Sequence, residues 1–242
     1  MGEGQRDVSS DIPSKAYVAI LGRTIDIHWA NHAILMSMAW FLLVPVGVIA
    51  LRFFKPAPTP YGIARGTGRF DRKLVWWTIH YSVLYLAISL SLLGIIIAIY
   101  VSGGISRSAH AAFGLATILF GSLQIISAWF RGSHGGKHGA HSNPEDPSTW
   151  RGDHFDMTPR RRWFEAFHKT TGYFTIALAF AAAGSGLMRY WIPGIAALLA
   201  AALVATLAVC IVLEGKGFRH DTYRSVYGNH PDHPYNHARR DK

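Results

Sequence analysis

Thirteen histidines in a chain of 242 residues are its most conspicuous chemical resource. Four of them, His32, His80, His110 and His168, stand in or at the edge of long apolar runs, and most of the others lie in polar stretches. An ionisable side chain in such a run is costly and faces a protein interior or a water-filled cavity for a reason. One histidine of this kind is readily explained as a polar bystander in the packing. Four of them point to a shared task, and the task that suits imidazole is metal ligation.

The runs that carry them are helices by elimination. Five apolar stretches are each long enough to cross a hydrocarbon core of ~30 Å. They are Ile27–Leu51, Leu74–Val101, Ser108–Phe130, Thr170–Met188 and Tyr190–Leu213. None alternates strictly, and in lipid only helices or closed barrels satisfy the backbone. Half the chain is hydrophobic (50%) and only 16% is charged, against about 25% charged in a soluble domain. The formal charge of +10 belongs to loops flanking the spans, where topology and anionic lipid account for it. No basic and aromatic interleaving suggests nucleic acid. Asp71 can cap the second helix, and Thr158-Pro159 reads as an N-cap with proline at the first helical position. The fourth helix is thus expected to begin before its apolar run. Trp29, Trp76, Trp77, Trp129, Tyr190 and Trp191 stand near span ends, as interface anchors do.

Charge sets the expected orientation. Arg52, Lys55, Arg65, Arg69, Arg72 and Lys73 crowd the link between spans one and two. Arg160, Arg161 and Arg162 precede span four, and Lys216, Arg219 and Arg224 follow span five. The other two links offer only Arg107 and Arg189. The positive-inside rule then puts the N-terminus outside and the C-terminus in the cytoplasm. No apolar stretch precedes a cleavage site in MGEGQRDVSSDIPSK, so no cleaved signal peptide is expected.

Topology converts four histidines into two pairs. Each lies near the N-terminal end of its span. Adjacent spans are antiparallel, so His32 and His110 fall near the outer face and His80 and His168 near the cytoplasmic face. Alternate helices of an up-down four-helix bundle are diagonal, so each face has two imidazoles opposed across the bundle. That suits bis-histidine ligation of one haem per face. Both axial positions are then filled, which favours electron transfer over ligand activation. His28, one turn before His32, is the alternative ligand; the deeper His32 is preferred. Gly114 follows His110 by four residues, and Gly172 follows His168 by four, so each ligand has a bare patch beside it or a close helix contact. The lone cysteine, Cys210, excludes an intramolecular disulfide, a Cys-ligated cluster and a C-x-x-C-H attachment; any haem is held non-covalently. His134, His138, His141 and His154 in the long link, and His220, His230, His233 and His237 in the tail, read as solvated residues.

The residues around the four histidines resemble the cytochrome b561 family. His32 with Trp40, Pro45, Gly47 and Arg52 resembles the first core helix, and His80-Tyr81-Ser82 the second. His110 with Gly114 and Gln124 resembles the third, and RGDHFDMTPRRRWFEAFHKTTGY, with His168 and Tyr173, the fourth, notably in bacterial members. The resemblance implies a transmembrane electron-transfer cytochrome with a four-helix core and two haems b, ligated by His32 with His110 and His80 with His168. The family's eukaryotic members use ascorbate and reduce monodehydroascorbate or ferric iron. Donor and acceptor are not implied for this chain: a small molecule, a quinone or a redox protein all suit it. Arg72, Lys73 and Arg160–Arg162 are candidates to attract an anionic reductant or haem propionates, or serve topology alone. Expected organisation is a polar tail over 1–24, a membrane cytochrome domain over 25–213 with a loop at 131–162, and a His-rich polar tail over 214–242. A homodimer in membrane lipid is compatible with it. The competing functions are a quinone-linked cytochrome b subunit anchoring a dehydrogenase, and a transporter of protons or metal.

Overall fold

The computed structural model describes residues 15–64, 67–131, 143, 145, 146, 149 and 159–229. The chain is an integral membrane protein, mostly helical. Five helices are long and apolar enough to cross a membrane: Trp29–Phe53, Val75–Ser102, Ala109–Trp129, Arg160–Arg189 and Pro193–Gly215. The first is made of α1 (Trp29–Ser37), a π-helical stretch (Met38–Leu43) and α2 (Val44–Phe53). The others are α3 (Val75–Ser102), α4 (Ala109–Trp129), α5 (Pro159–Arg189) and α6 (Pro193–Gly215). Asp71 caps the entry to α3 through its side chain, which accepts from Lys73 N–H at 2.8 Å. Pro159 opens α5, well before the apolar run, because a proline at the first helical position loses no helical hydrogen bond. Thr158, Arg65, His134, His138, His141, His154, His230, His233 and His237 lie outside the described residues.

The chain divides into two compact units, each assembled from several segments. The first comprises Met1–Pro45, Leu84–Leu123 and Gly172–Thr206. It begins with an antiparallel hairpin, β1 (Lys15–Val18) and β2 (Arg23–Asp26), in which Val18 pairs with Arg23. A short 3-10 turn and Gly22 at φ 60 close it, a left-handed conformation that glycine adopts freely. Ile25 and Ile27 beyond it pack with Trp29, Ile97 and Val101. A second cluster joins Ala39, Val44 and Ala87, with Trp40, Leu43, Leu84, Leu90 and Ile176 against it. Ala39 and Val44 are five residues apart. An α-helix would turn them to different faces, but the π stretch closes a bond from Val44 N–H to Ala39 O and brings both inward. Gly121 lets Trp40 and Ile88 in: a Cβ there would stand 2.7 Å from Ile88 Cδ1 and 3.2 Å from Trp40.

The second unit comprises Val46–Val83, Gln124–Thr171 and Leu207–Lys242. Its tail is folded. A short helix, α7 (Thr222–Tyr227), is capped by Asp221, whose carboxylate accepts from the N–H groups of Tyr223 and Arg224. Gly228, at φ 99, ends it. α7 is stitched to the link after the first span: Ile63 N–H donates to Val226 O, Asn229 N–H to Thr59 O, and Lys55 Nζ to Thr222 Oγ1. Gly62 and Gly228 meet back to back, where a Cβ on either would lie 2.3 Å from a backbone oxygen. Tyr223 and Tyr227 stack on each other and are buried. The Tyr223 hydroxyl donates to Glu165 on α5, whose carboxylate also pairs with Arg161 at 3.3 Å and Lys169 at 3.2 Å. The described part of the expected polar tail is therefore a clamp. The sequence reading took this segment as polar tail and did not find the helix, whose signals in DTYRSVYG are an aspartate N-cap and a terminal glycine.

Candidate paired-histidine sites

In the first unit, α1 presents His32 and α4 presents His110. Their ring centroids are 6.0 Å apart and their planes nearly perpendicular, at 87°. His32 Nδ1 lies 2.8 Å from Gly94 O on α3, and His110 Nδ1 lies 2.8 Å from Ala182 O on α5. A carbonyl oxygen only accepts, so each Nδ1 carries the proton and donates. In the neutral imidazole this leaves the Nε2 lone pair for metal.

Both rings line one apolar cavity. Met36, Phe41, Ile118, Ala179, Leu187 and Leu199 form much of its wall. Gly114 lines it as well, and a Cβ there would meet nothing within 4 Å. Trp29 stands edge-on to His32 at 5.9 Å and stacks on Tyr190 at the same distance, and both line the cavity. The fifth span contributes Ile195 and Leu199. His28 is exposed, precedes the first turn of α1 without capping it, and does not line the cavity.

In the second unit, α3 presents His80 and α5 presents His168. His80 is buried, with Nδ1 3.0 Å from Gly47 O on α2, and Trp77 stacks on it at 5.8 Å. His168 is within electrostatic reach of His80. Its own Nδ1 is buried and has no hydrogen-bond partner among the described residues. Guanidinium groups back the aromatic neighbours of both histidines. Arg131 lies 5.4 Å over Trp77, and Arg161 lies 5.0 Å over Phe164, the residue packed on His168. Gln124 donates to Thr171 nearby on α5.

The basic residues named from sequence divide. Arg72, Lys73, Arg160 and Arg162 are exposed, whereas Arg161 is buried and ion-paired with Glu165. Trp129 and Trp191 are exposed like interface anchors, but Trp76 is buried and its indole donates to Lys73 O. Sequence reading did not find the three carbonyl acceptors, because each belongs to a different helix from its histidine. It also missed Gly186, whose bare Cα faces the His110 ring.

No protein-family profile and no solved structure matches the chain. Two curated proteins resemble part of it. A cytochrome b561, DM13 and DOMON domain-containing protein of Arabidopsis thaliana is 28% identical over 101 residues, covering 41% of this chain and 10% of that protein. A putative ferric-chelate reductase 1 of Xenopus laevis is 30% identical over 103 residues, 41% of this chain and 16% of its own length. The chain thus aligns with less than a fifth of either relative, and over that segment it is similar to proteins of the cytochrome b561 and ferric-chelate reductase kind.

Proposed function

We propose that this chain carries electrons across a membrane through two non-covalent haems b, one held by His32 and His110 and the other by His80 and His168. The observation that carries the reading is the His32–His110 geometry. A histidine nitrogen sits ~2 Å from a bound metal and about 1 Å from its own ring centre, so two imidazoles on one iron would have centres roughly 6 Å apart. The observed separation is 6.0 Å. Two imidazoles fall short of the three or four protein ligands of a zinc site, and among the described residues no cluster of three or more His, Cys, Asp or Glu forms. They suit a group that brings its own equatorial donors. The apolar wall and the open patch at Gly114 suit a flat macrocycle. In the second unit the orphaned Nδ1 of His168 beside His80 is a further feature that a bound group would explain.

A haem held by each histidine pair would supply reversible one-electron transfer. The chain's own residues do the rest. The carbonyls of Gly94, Ala182 and Gly47 hold three imidazoles in one tautomer and one orientation. Apolar side chains around the His32–His110 pair keep water out. The basic segments after span one, before span four and after span five support a cytoplasmic location for His80 and His168 and for the C-terminus, with the N-terminus on the periplasmic side of a bacterial inner membrane. Electrons enter from a small-molecule, quinone or protein donor. The similarity to a ferric-chelate reductase favours a reductase outlet.

The test is an oxidised and reduced visible spectrum of the purified chain, with pyridine haemochrome quantification. Two haems b per chain are expected. A colourless protein without a Soret band would sink the reading and favour a transporter that uses the buried histidines directly. Haem reduction that requires quinol, with a dehydrogenase co-purifying, would reassign the protein as a quinone-linked anchor subunit.

A further inference from the structure

The small residues around His110 separate into two kinds. Helix α5 contains the run Ala181-Ala182-Ala183-Gly184-Ser185-Gly186. Small residues at this density ordinarily serve close packing of membrane helices, and composition alone does not distinguish one from another. Geometry does. A Cβ on Gly184 would meet nothing within 4 Å. A Cβ on Gly186 would lie 2.8 Å from His110 Nδ1 and 2.9 Å from its Cε1. Ala182, one turn earlier on the same face, supplies the carbonyl that accepts the His110 N–H at 2.8 Å. The imidazole therefore lies on a strip of α5 whose first residue fixes its proton and whose second must have no side chain.

From this geometry we infer that Gly186 is a positioning residue for His110: its bare Cα lets the ring reach the Ala182 carbonyl and sets its distance and tilt toward His32. A methyl at Gly186 moves the ring off α5, because the contact is with the stiff imidazole and not with the end of a flexible chain. The ring then loses its hydrogen bond, its approach to His32, or both. The inference rests on the reading of His32 and His110 as an axial pair, but the steric claim about the ring stands without it.

The experiment compares Gly186→Ala with Gly184→Ala in the full chain, purified in detergent. Gly184→Ala is expected to match the wild type in haem content, redox titration and ferric EPR spectrum. Gly186→Ala is expected either to lose up to one of two haems or to shift the potential and EPR signal of one centre, leaving the other unchanged. Wild-type haem content, potentials and EPR in Gly186→Ala would overturn the inference. If Gly186→Ala does not fold, the double variant Gly186→Ala/His110→Ala decides: recovery of the folded protein places the clash at the ring, and no recovery overturns it. Should the wild type bind no haem, the proposed function fails separately. The positioning role is then read from protein carrying 15N-labelled histidine, with His110 assigned by its loss in His110→Ala. A shifted His110 resonance in Gly186→Ala but not in Gly184→Ala supports the inference, and equal spectra refute it.

Discussion

Each histidine's chemistry depends on what its second nitrogen does. His32, His80 and His110 lie against mid-helix carbonyls, so each ring is oriented, with Nδ1 as the donor, before any metal arrives. Replacing His110 with Ala should therefore halve the haem content and leave the second centre's spectrum and potential in place. Equal loss of both haems from a folded variant would argue against separate sites. The perpendicular rings of His32 and His110 carry a further expectation. Were a haem held between rings so crossed, its iron d orbitals would be nearly degenerate. Ferric EPR of that centre should show the highly anisotropic low-spin form with one large g value, and a rhombic spectrum typical of parallel rings would contradict it. The four histidines were legible in the sequence because a buried ionisable group among apolar residues is conspicuous. Gly94, Gly47, Ala182 and Gly186 were not, because a carbonyl acceptor or a missing side chain acquires meaning only from another helix.

At the scale of elements, apolar run length located four of the five spans to within a few residues, since the hydrocarbon thickness dictates it; the fourth, read as apolar from Thr170, begins at Arg160, where the polar first turns hide it from hydropathy. The hairpin Lys15–Asp26 and the α7 clamp escaped that reading because both are short and polar, and their stability comes from tertiary contacts. The clamp yields a pH prediction. Burial first, then the hydrogen bond to Glu165, raises the Tyr223 phenol well above its ordinary 10.0. At pH values above the unfolded pKa but below the folded one, the unfolded state has lost a proton that the folded state keeps. Stability contributed by Tyr223 is thus whole below pH ~10 and declines as pH rises toward the folded value. Tyr223→Phe should lower stability near neutrality by about 1 kcal/mol through the lost hydrogen bond. It should also flatten the alkaline decline, measured as thermal midpoints in detergent from about pH 8 to 11. An unchanged alkaline slope would mean that Tyr223 does not control it. Gly121 allows a packing test: Gly121→Ala should cost about 1–3 kcal/mol by overpacking against Ile88 and Trp40, with the proposed site at His80 and His168 unaffected.

The whole molecule is a conductor in the proposed reading, and conduction needs both pairs. Vesicles containing the wild type and trapped ferricyanide should bleach when an impermeant reductant is added outside. Vesicles containing His110→Ala or His80→Ala should not, though each variant keeps one haem. Bleaching at the wild-type rate in either variant would exclude a two-centre path. Orientation can be mapped on the same preparation. Because Cys210 is the lone cysteine, a Cys210→Ser background accepts single reporter cysteines. A cysteine replacing Tyr17 should label from the periplasmic side and one replacing Phe70 from the cytoplasmic side. The reverse pattern would overturn the positive-inside assignment. Overall membership in the membrane class was legible from charge and hydropathy alone. The division of the chain into two discontinuous units was not, because it cuts across the spans that hydropathy recognises.

The π stretch at Met38–Leu43 has a genetic consequence. It closes hydrogen bonds over five residues in place of four, so it accommodates one residue more than an unbroken α-helix would. Deleting Leu42 would close the stretch into an unbroken α-helix, in which the partners of the Val44–Ala39 bond stand four residues apart and still share a face. A residue gained there, or lost from the α-helical turns beside it, has no such slack: the flanking segments would turn relative to each other by about 100°. His32 could then face His110, or Val44 could face Ala87, but not both. In this span a codon lost inside the π stretch should be far better tolerated than one gained there or lost from its flanks.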